Sequence, residues 1–144
     1  AAVLDEAGWF RTGDLARRDA VGDYWILGRS RELIISGGEN VYPAELENVL
    51  ADCPLIAESA VIGIADARWG EAACAVVVRK PGVELDETAV LGLFKDRLAR
   101  YKHPRRVVFT DSLQKNALGK VQKHELKKLL PSPAGLPTIR LGDK

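Results

Sequence analysis

Four short segments concentrate the glycines and charged side chains that could contact a phosphorylated ligand. A carboxylate after a glycine turn can accept hydrogen bonds from ribose hydroxyls, and paired glycines let a ligand approach the backbone closely. A tryptophan can stack on a nucleobase, and a lysine can stabilise negative charge that builds in a transition state. The segments are Thr12-Gly13-Asp14, Ser36-Gly37-Gly38-Glu39-Asn40, Arg68-Trp69-Gly70 and Asn116-Ala117-Leu118-Gly119-Lys120-Val121.

Each segment also has an ordinary structural interpretation. Asp14 could close an Asx turn on its own backbone, Trp69 could cap a sheet edge, and Lys120 could be a solvated lysine. The lysine segment is not a P-loop, because that motif needs Gly at 114 and Ser or Thr at 121, where this chain has Gln114 and Val121. The functional prediction therefore depends on the order and spacing of all four segments.

The elements that must position these segments form a mixed pattern. Residues 58–64 and 72–78 are predicted strands, and the second is so apolar that it should be central in a sheet. The fold class predicted is α+β, with a small mixed sheet and flanking helices, preceded by a β-rich segment and a hinge. Further strands are predicted at 24–27, 33–36 and 107–109, and a basic helix at 123–130. One more helix should begin at Pro43, which suits a first turn, and end at Cys53-Pro54. Another should start at the N-cap Asp86 and run to about residue 100, with an apolar stripe that includes Phe94.

Composition excludes several classes of protein. The 144 residues are the size of one domain, and 21 Lys plus Arg against 20 Asp plus Glu argue against a general nucleic-acid binder. No apolar run approaches the roughly 20 residues needed to cross a bilayer, and we expect no secretory signal, because no charged segment is followed by an apolar one near residue 1. Cys53 and Cys74 fit neither a disulfide framework nor a zinc motif. We therefore predict a reducing, cytoplasmic setting and no bound metal of the chain's own.

Read in order, four motifs resemble the C-terminal part of an AMP-forming acyl-CoA synthetase, a member of the adenylate-forming superfamily. They are Gly8-Trp9-Phe10-Arg11-Thr12-Gly13-Asp14, Gly28-Arg29, Ile34-Ile35-Ser36-Gly37-Gly38-Glu39-Asn40-Val41-Tyr42-Pro43 and Gly119-Lys120. The resemblance covers residues 8 to about 130. It implies a two-step ligase, in which a carboxylic acid and ATP give an acyl-adenylate and pyrophosphate, and coenzyme A then displaces AMP. The Mg²⁺ that accompanies ATP is expected to bind outside this fragment.

The resemblance assigns roles to single residues. Asp14 matches the aspartate that holds the ribose hydroxyls, and Arg29 matches the arginine of the same nucleotide site. Lys120 matches the catalytic lysine that bridges the substrate carboxylate and the α-phosphate. Arg31 stands at the hinge position, where Asp or Lys is usual. The residues expected to contact coenzyme A are Ser36, Gly37 and Gly38 along the pantetheine tunnel, and Trp69, Tyr101, Lys102 and His103 at the CoA nucleotide.

The resemblance also predicts how the chain is divided. Residues 1–30 would be the C-terminal edge of a large N-terminal domain plus the hinge, residues 31–130 a mobile small domain, and residues 131–144 a flexible tail. The phosphate-binding loop and the acyl pocket would lie in the N-terminal domain, which is the expected partner. Because the chain has no methionine, even at position 1, we expect a fragment or a processed product that is inactive alone.

Two alternatives remain open. The first is a non-catalytic module that binds CoA or a partner protein. The second is an amino-acid-activating adenylation domain, which Ile35 and Trp69 disfavour, as does the Pro-rich end of the chain where a carrier domain should follow. Gln114 also departs from the usual Pro before the lysine loop. The motifs fit ligases of aryl, fatty and short dicarboxylic acids alike, so the acid is not predicted.

Overall fold

The computed structural model describes residues 4–130, so the predicted tail at 131–144 lies outside the described residues. Two short 3-10 turns, Ser30–Glu32 and Arg100–Lys102, interrupt the connections. The strands and helices, in chain order, are β1 Asp14–Arg18, β2 Tyr24–Arg29, β3 Ile34–Ser36, β4 Glu39–Val41, α1 Pro43–Ala51, β5 Ile56–Asp66, β6 Gly70–Arg79, α2 Glu87–Gly92, β7 Arg106–Phe109 and α3 Lys123–Leu129.

Strand β6 is the centre of a five-stranded mixed sheet. It pairs antiparallel with β3 and β5 and parallel with β7, while β4 continues the sheet beyond β3. The strands β1 and β2 form a separate antiparallel pair. The predicted fold class, a small mixed sheet with flanking helices after a β-rich segment, is confirmed, and so is the central position of β6.

Alternate residues of the sheet pack against opposite layers of helix, as the two-residue period of a strand requires. Val61, Ala75 and Val77 face α1 and α2, and they share one hydrophobic cluster with Leu46 and Phe94. The other face packs against α3. Its buried members are Ala60, Ile62, Cys74, Val76, Val78, Leu113 and Leu126. Both faces of β6 are therefore covered, which explains its unbroken apolar sequence.

The two cysteines are free and buried, as expected for small core side chains. Cys74 is fully buried between the sheet and α3. Burial raises the pKa of the Cys74 thiol to about 12, because the thiolate would lose its hydration. The Cys74 thiol is therefore protonated at neutral pH and is not a nucleophile.

Helix α2 is shorter than the sequence predicts. It ends at Gly92 rather than near residue 100, and the chain continues in turns such as Phe94 N to Leu91 O at 3.3 Å. Asp96 has a φ of 62°, which an α-helix cannot include. Phe94 still faces the core from these turns, so the apolar stripe that predicted a long helix is satisfied without one.

Strand β4 was not predicted, because its residues read as a loop before α1. It forms a hairpin with β3 in the register Ile34↔Val41 and Ser36↔Glu39. Gly37 and Gly38, at φ 60° and 86°, are the two turn residues. Positive φ at both positions defines the tight hairpin turn that matches the natural twist of strands.

The N-cap of α2 gives a first testable prediction. Asp86 Oδ1 accepts a hydrogen bond of 2.7 Å from the Ala89 amide, as the sequence predicts for a cap. Replacing Asp86 by alanine should lower the free energy of unfolding by about 1 kcal/mol. Asp86→Asn, which keeps the acceptor, should stay close to the parent chain in urea unfolding. Equal losses in both variants would contradict a capping role.

No helix within residues 4–130 is long and apolar enough to cross a membrane.

Candidate nucleotide and coenzyme site

Strands β1 and β2 bring Asp14 and Arg29 together as directly paired residues. Arg29 Nε lies 2.9 Å from Asp14 Oδ1, and Arg29 Nη1 donates a hydrogen bond of 2.7 Å to the Thr12 carbonyl. The Asp14 amide in turn donates to Thr12 Oγ1 at 3.0 Å. The arginine thus orients the carboxylate, while both side chains stay partly exposed. An exposed, oriented carboxylate can accept hydrogen bonds from the hydroxyls of a ligand.

The lysine loop is held by its own asparagine. Asn116 Oδ1 accepts hydrogen bonds from the amides of Leu118 at 3.0 Å and Lys120 at 2.9 Å, and the Asn116 amide donates to the Lys120 carbonyl at 2.9 Å. Gly119 supplies the positive φ, 78°, that the tight turn needs. At Gln114, which departs from the usual Pro, the backbone carbonyl accepts a hydrogen bond of 2.8 Å from the Gln122 amide. The loop therefore closes without proline and exposes Lys120 at its end.

Lys120 lines a cleft of about 410 Å³ together with Arg31, the predicted hinge residue. The other walls are residues 61–63 of β5 and the start of α3. Lys123, at the start of α3, lies within ion-pair distance of Glu32 Oε2, at 3.0 Å, and Glu47 Oε1, at 2.7 Å. This lysine ties the 3-10 turn at Ser30–Glu32, which contains the predicted hinge residue, to α1.

A second surface forms where the glycine turn meets Trp69. The Gly37 amide donates a hydrogen bond of 2.9 Å to the Trp69 carbonyl. A Cβ on Gly37 would lie 2.5 Å from Trp69 Cε3, so only glycine lets the indole pack here. A Cβ on Gly38 would meet nothing within 4 Å. The hairpin turn therefore presents open space at Gly38 beside a fixed aromatic ring.

Two guanidinium groups lie against the Trp69 ring. The Cζ atoms of Arg68 and Arg105 are 4.8 and 4.7 Å from the ring centroid, in the range of cation–π contacts. Asp66 Oδ1 orders the turn by accepting hydrogen bonds of 2.9 Å from the amides of both Arg68 and Trp69. Sequence reasoning missed Arg105, because only the pairing of β6 with β7 brings it to this turn.

The three remaining predicted coenzyme contacts lie on and after the 3-10 turn Arg100–Lys102. Tyr101 is exposed. Lys102 Nζ lies 2.6 Å from Glu45 Oε2, and His103 Nε2 lies 2.9 Å from the Leu98 carbonyl. Of the three side chains, Tyr101 is therefore the one most available to a ligand, and coenzyme binding by all three stays a prediction.

The part of the chain that the structure describes contains no group of three or more His, Cys, Asp or Glu side chains that could hold a metal ion. Binding of the Mg²⁺ that accompanies ATP outside this fragment stays a prediction.

The described chain thus presents the lysine loop at one cleft, and the glycine turn beside Trp69 and its two arginines. The model of the family described as AMP-binding enzyme C-terminal domain matches residues 45–120, and the chain belongs to that family. The resemblance stated from the motifs is confirmed at this level.

Similar curated proteins are CoA ligases. The chain is 55% identical over 130 residues, 90% of its length, to an indoleacetate–CoA ligase of Aromatoleum aromaticum. It is 46% identical over 120 residues, 83% of its length, to a long-chain-fatty-acid–CoA ligase of Mycobacterium tuberculosis. ATP-bound MatB from Rhodopseudomonas palustris shares the fold over 88% of this chain, with a TM-score of 0.80 and 44% identity. The chain spans only about a quarter of these proteins, 25%, 24% and 25% respectively.

Proposed function

We propose that this chain is the C-terminal part of an AMP-forming acyl-CoA ligase, which activates a carboxylic acid with ATP and transfers the acyl group to coenzyme A. The observation that carries the proposal is the pair of distinct surfaces: an exposed lysine on an ordered loop, and an open glycine turn against Trp69. Each surface has the chemistry that one half-reaction requires.

In the first half-reaction, a carboxylate oxygen of the acid attacks the α-phosphorus of ATP and pyrophosphate leaves. Lys120 would lie between the two anions and stabilise the charge on the transferring phosphoryl group. Asp14, oriented by Arg29, would accept hydrogen bonds from the ribose hydroxyls. Because Lys120 is exposed on a loop, it can enter and leave a site completed by another domain.

In the second half-reaction, the sulfur of coenzyme A attacks the acyl carbon of the adenylate. The carbon–oxygen bond to the phosphate breaks, AMP leaves with the electron pair, and the thiol proton passes to solvent. The pantetheine arm would pass Gly38, where the turn leaves space, and the adenine would stack on Trp69. Arg68 and Arg105 would neutralise the phosphates of the coenzyme nucleotide.

The distribution of apolar side chains supports a domain boundary near Arg31. The buried clusters of the described chain begin at Ile34. Before that residue, none of the described large apolar side chains is buried: Leu15, Leu27 and Leu33 are half-buried, and the others are exposed. The exposed ones are Leu4, Trp9, Phe10, Val21, Tyr24, Trp25 and Ile26. An apolar surface of this kind fits burial against the large N-terminal domain, so we propose that residues 1–30 belong to that domain and to the hinge.

We propose that the acid is selected outside this part of the ligase. Relatives named for indoleacetate and for long-chain fatty acids are 55% and 46% identical to this chain over most of its length. Relatives named for chemically unrelated acids are thus both similar to this chain, which supports the proposal that the N-terminal acyl pocket selects the acid. A role in fatty acid metabolism and a cytoplasmic location both stay predictions.

The function is tested by adding this chain in trans to the upstream part of its parent protein. ATP–pyrophosphate exchange that needs both parts and a carboxylic acid is the expected result. The chain alone should show no exchange. Firm CoA binding by the chain alone, with no exchange on mixing, would instead favour the binding-module alternative.

A substitution at Trp69 tests the coenzyme surface. Trp69→Ala should raise the KM for CoA about tenfold, since stacking of one base contributes roughly 1–3 kcal/mol. The KM for ATP and the rate of adenylate formation should not change. Trp69→Phe keeps an aromatic face and should retain most of the CoA affinity. A loss of ATP affinity equal to that of CoA affinity would contradict the assignment.

A further inference from the structure

The cleft beside Lys120 carries more positive charge than one catalytic lysine accounts for. Four cationic side chains line it, against the single carboxylate of Glu32, which leaves a formal charge of +3 with His124 neutral. The whole chain carries only +1. The cationic side chains are Arg31, Lys120, Lys123 and Lys127.

Among the four cations of the cleft, Lys123 is the one whose charge is neutralised by carboxylates of the described chain. Its Nζ lies 3.0 Å from Glu32 Oε2 and 2.7 Å from Glu47 Oε1, and its side chain is only 19% exposed. Glu47 Oε1 also accepts a hydrogen bond of 2.8 Å from the Val61 amide, which fixes this ion-pair network. Glu32 is the only carboxylate that lines the cleft, and it already pairs with Lys123. The other cations of the cleft therefore have no carboxylate to pair with there.

Arg31, Lys120 and Lys127 have no ion-pair partner among residues 4–130. The nearby acid on α3, Glu125, already contacts Lys128 at 2.7 Å and His124 at 3.0 Å. Three uncompensated cations on one concave surface repel each other, and an anion bound between them removes that cost. The volume of about 410 Å³ accommodates a small ligand.

We propose that this cleft is a polyphosphate-binding site, in which Arg31 and Lys127 contact the β- and γ-phosphates of ATP, or the pyrophosphate formed from them, while Lys120 reaches the α-phosphate. The anion site itself follows from the charges of the cleft, whereas the choice of ATP or pyrophosphate as its ligand rests on the proposed function. The site would help to draw the leaving group away from the acyl-adenylate.

Direct binding tests the site with Lys127 and its neighbour as a matched pair. The chain would be titrated calorimetrically with inorganic pyrophosphate and with orthophosphate at fixed ionic strength, without Mg²⁺. Pyrophosphate should bind more tightly than orthophosphate. Lys127→Gln should weaken pyrophosphate binding about tenfold, the scale of one charge-assisted contact, whereas Lys128→Gln should change it less than about twofold, because Lys128 pairs with Glu125 outside the cleft. Circular dichroism would check that both variants are folded.

Kinetics of the complete ligase separate the two sources of the anion. If the triphosphate of bound ATP is the ligand, Lys127→Gln raises the KM for ATP. If released pyrophosphate is the ligand, the variant raises the KM for pyrophosphate in the exchange reaction and leaves that for ATP unchanged. Either result supports the site.

The proposal is overturned if pyrophosphate binds no better than orthophosphate, or if the two lysine variants lose equal affinity. Exchange activity in the complete ligase together with such a result would reject the cleft site and leave the proposed function standing. Lys127-dependent pyrophosphate binding without any exchange activity would support the cleft site and reject the proposed function.

Discussion

Replacing Lys120 by alanine should slow acyl-adenylate formation about 10²- to 10³-fold in the complete ligase, the scale for loss of one stabilising donor at a transition state. The physical reason is local. Asn116 orders the backbone on both sides of Lys120, so the ammonium group is delivered from a preformed loop. Transfer from a preformed adenylate to CoA should be unaffected, because the lysine is needed only while two anions are brought together.

A neighbouring lysine of the same loop provides the control. Lys115 is paired with Glu58 at 2.7 Å, so its charge is already compensated. Lys115→Ala should leave adenylate formation within about twofold of the parent enzyme, as expected when a surface ion pair is lost. Both single variants should unfold within about 0.5 kcal/mol of the parent, since both side chains are exposed. Equal slowing of both half-reactions by Lys120→Ala would contradict the assignment.

Replacing Gly38 by leucine should produce the reverse pattern and slow thioester formation about 100-fold, the cost of displacing reacting groups by about 1 Å. Apart from its two chain neighbours, no residue has an atom within 4 Å of a Cβ built at Gly38, so the added side chain starts in the open space assigned to the pantetheine arm. Gly37 would be a poorer test, because a side chain there also collides with Trp69.

Gly82 is a matched control for backbone strain. Its φ of 74° is close to the 86° of Gly38, and its Cβ position is equally open, but it lies in the turn after β6. Gly82→Leu carries the same kind of strain without entering the proposed tunnel. It should therefore destabilise the fold to a similar extent and leave thioester formation unchanged. If Gly38→Leu slowed adenylation most, the tunnel assignment would be wrong.

The core could be predicted from the sequence because the spacing of its apolar residues is compatible with only one arrangement, a central strand between two layers. The run 72–78 is apolar at every position, and such a strand must be covered on both faces. Pro43 and Asp86 mark helix starts through chemistry that acts locally, a missing amide in one case and a cap acceptor in the other. Local signals of this kind predict where elements begin better than where they end. The early end of α2 shows this limit.

The functional surfaces were only partly predictable, for the same reason. Motifs identified Asp14, Gly38 and Lys120 one segment at a time. Arg105 joins Trp69 only through the parallel pairing of β6 with β7, and Arg31 meets Lys120 only across a cleft. Contacts between residues so far apart in the chain cannot be predicted from the spacing of residues in a single sequence.

The most direct test of the two-surface account is the ratio of the two half-reaction rates, measured by rapid quench in one preparation of the complete ligase and its variants. Adenylate formation from acid and ATP would be compared with CoA transfer from the preformed adenylate. The account predicts that this ratio falls about 100-fold or more for Lys120→Ala and rises about 100-fold for Gly38→Leu. A ratio that moves in the same direction for both variants, or stays constant while both rates fall, would contradict it.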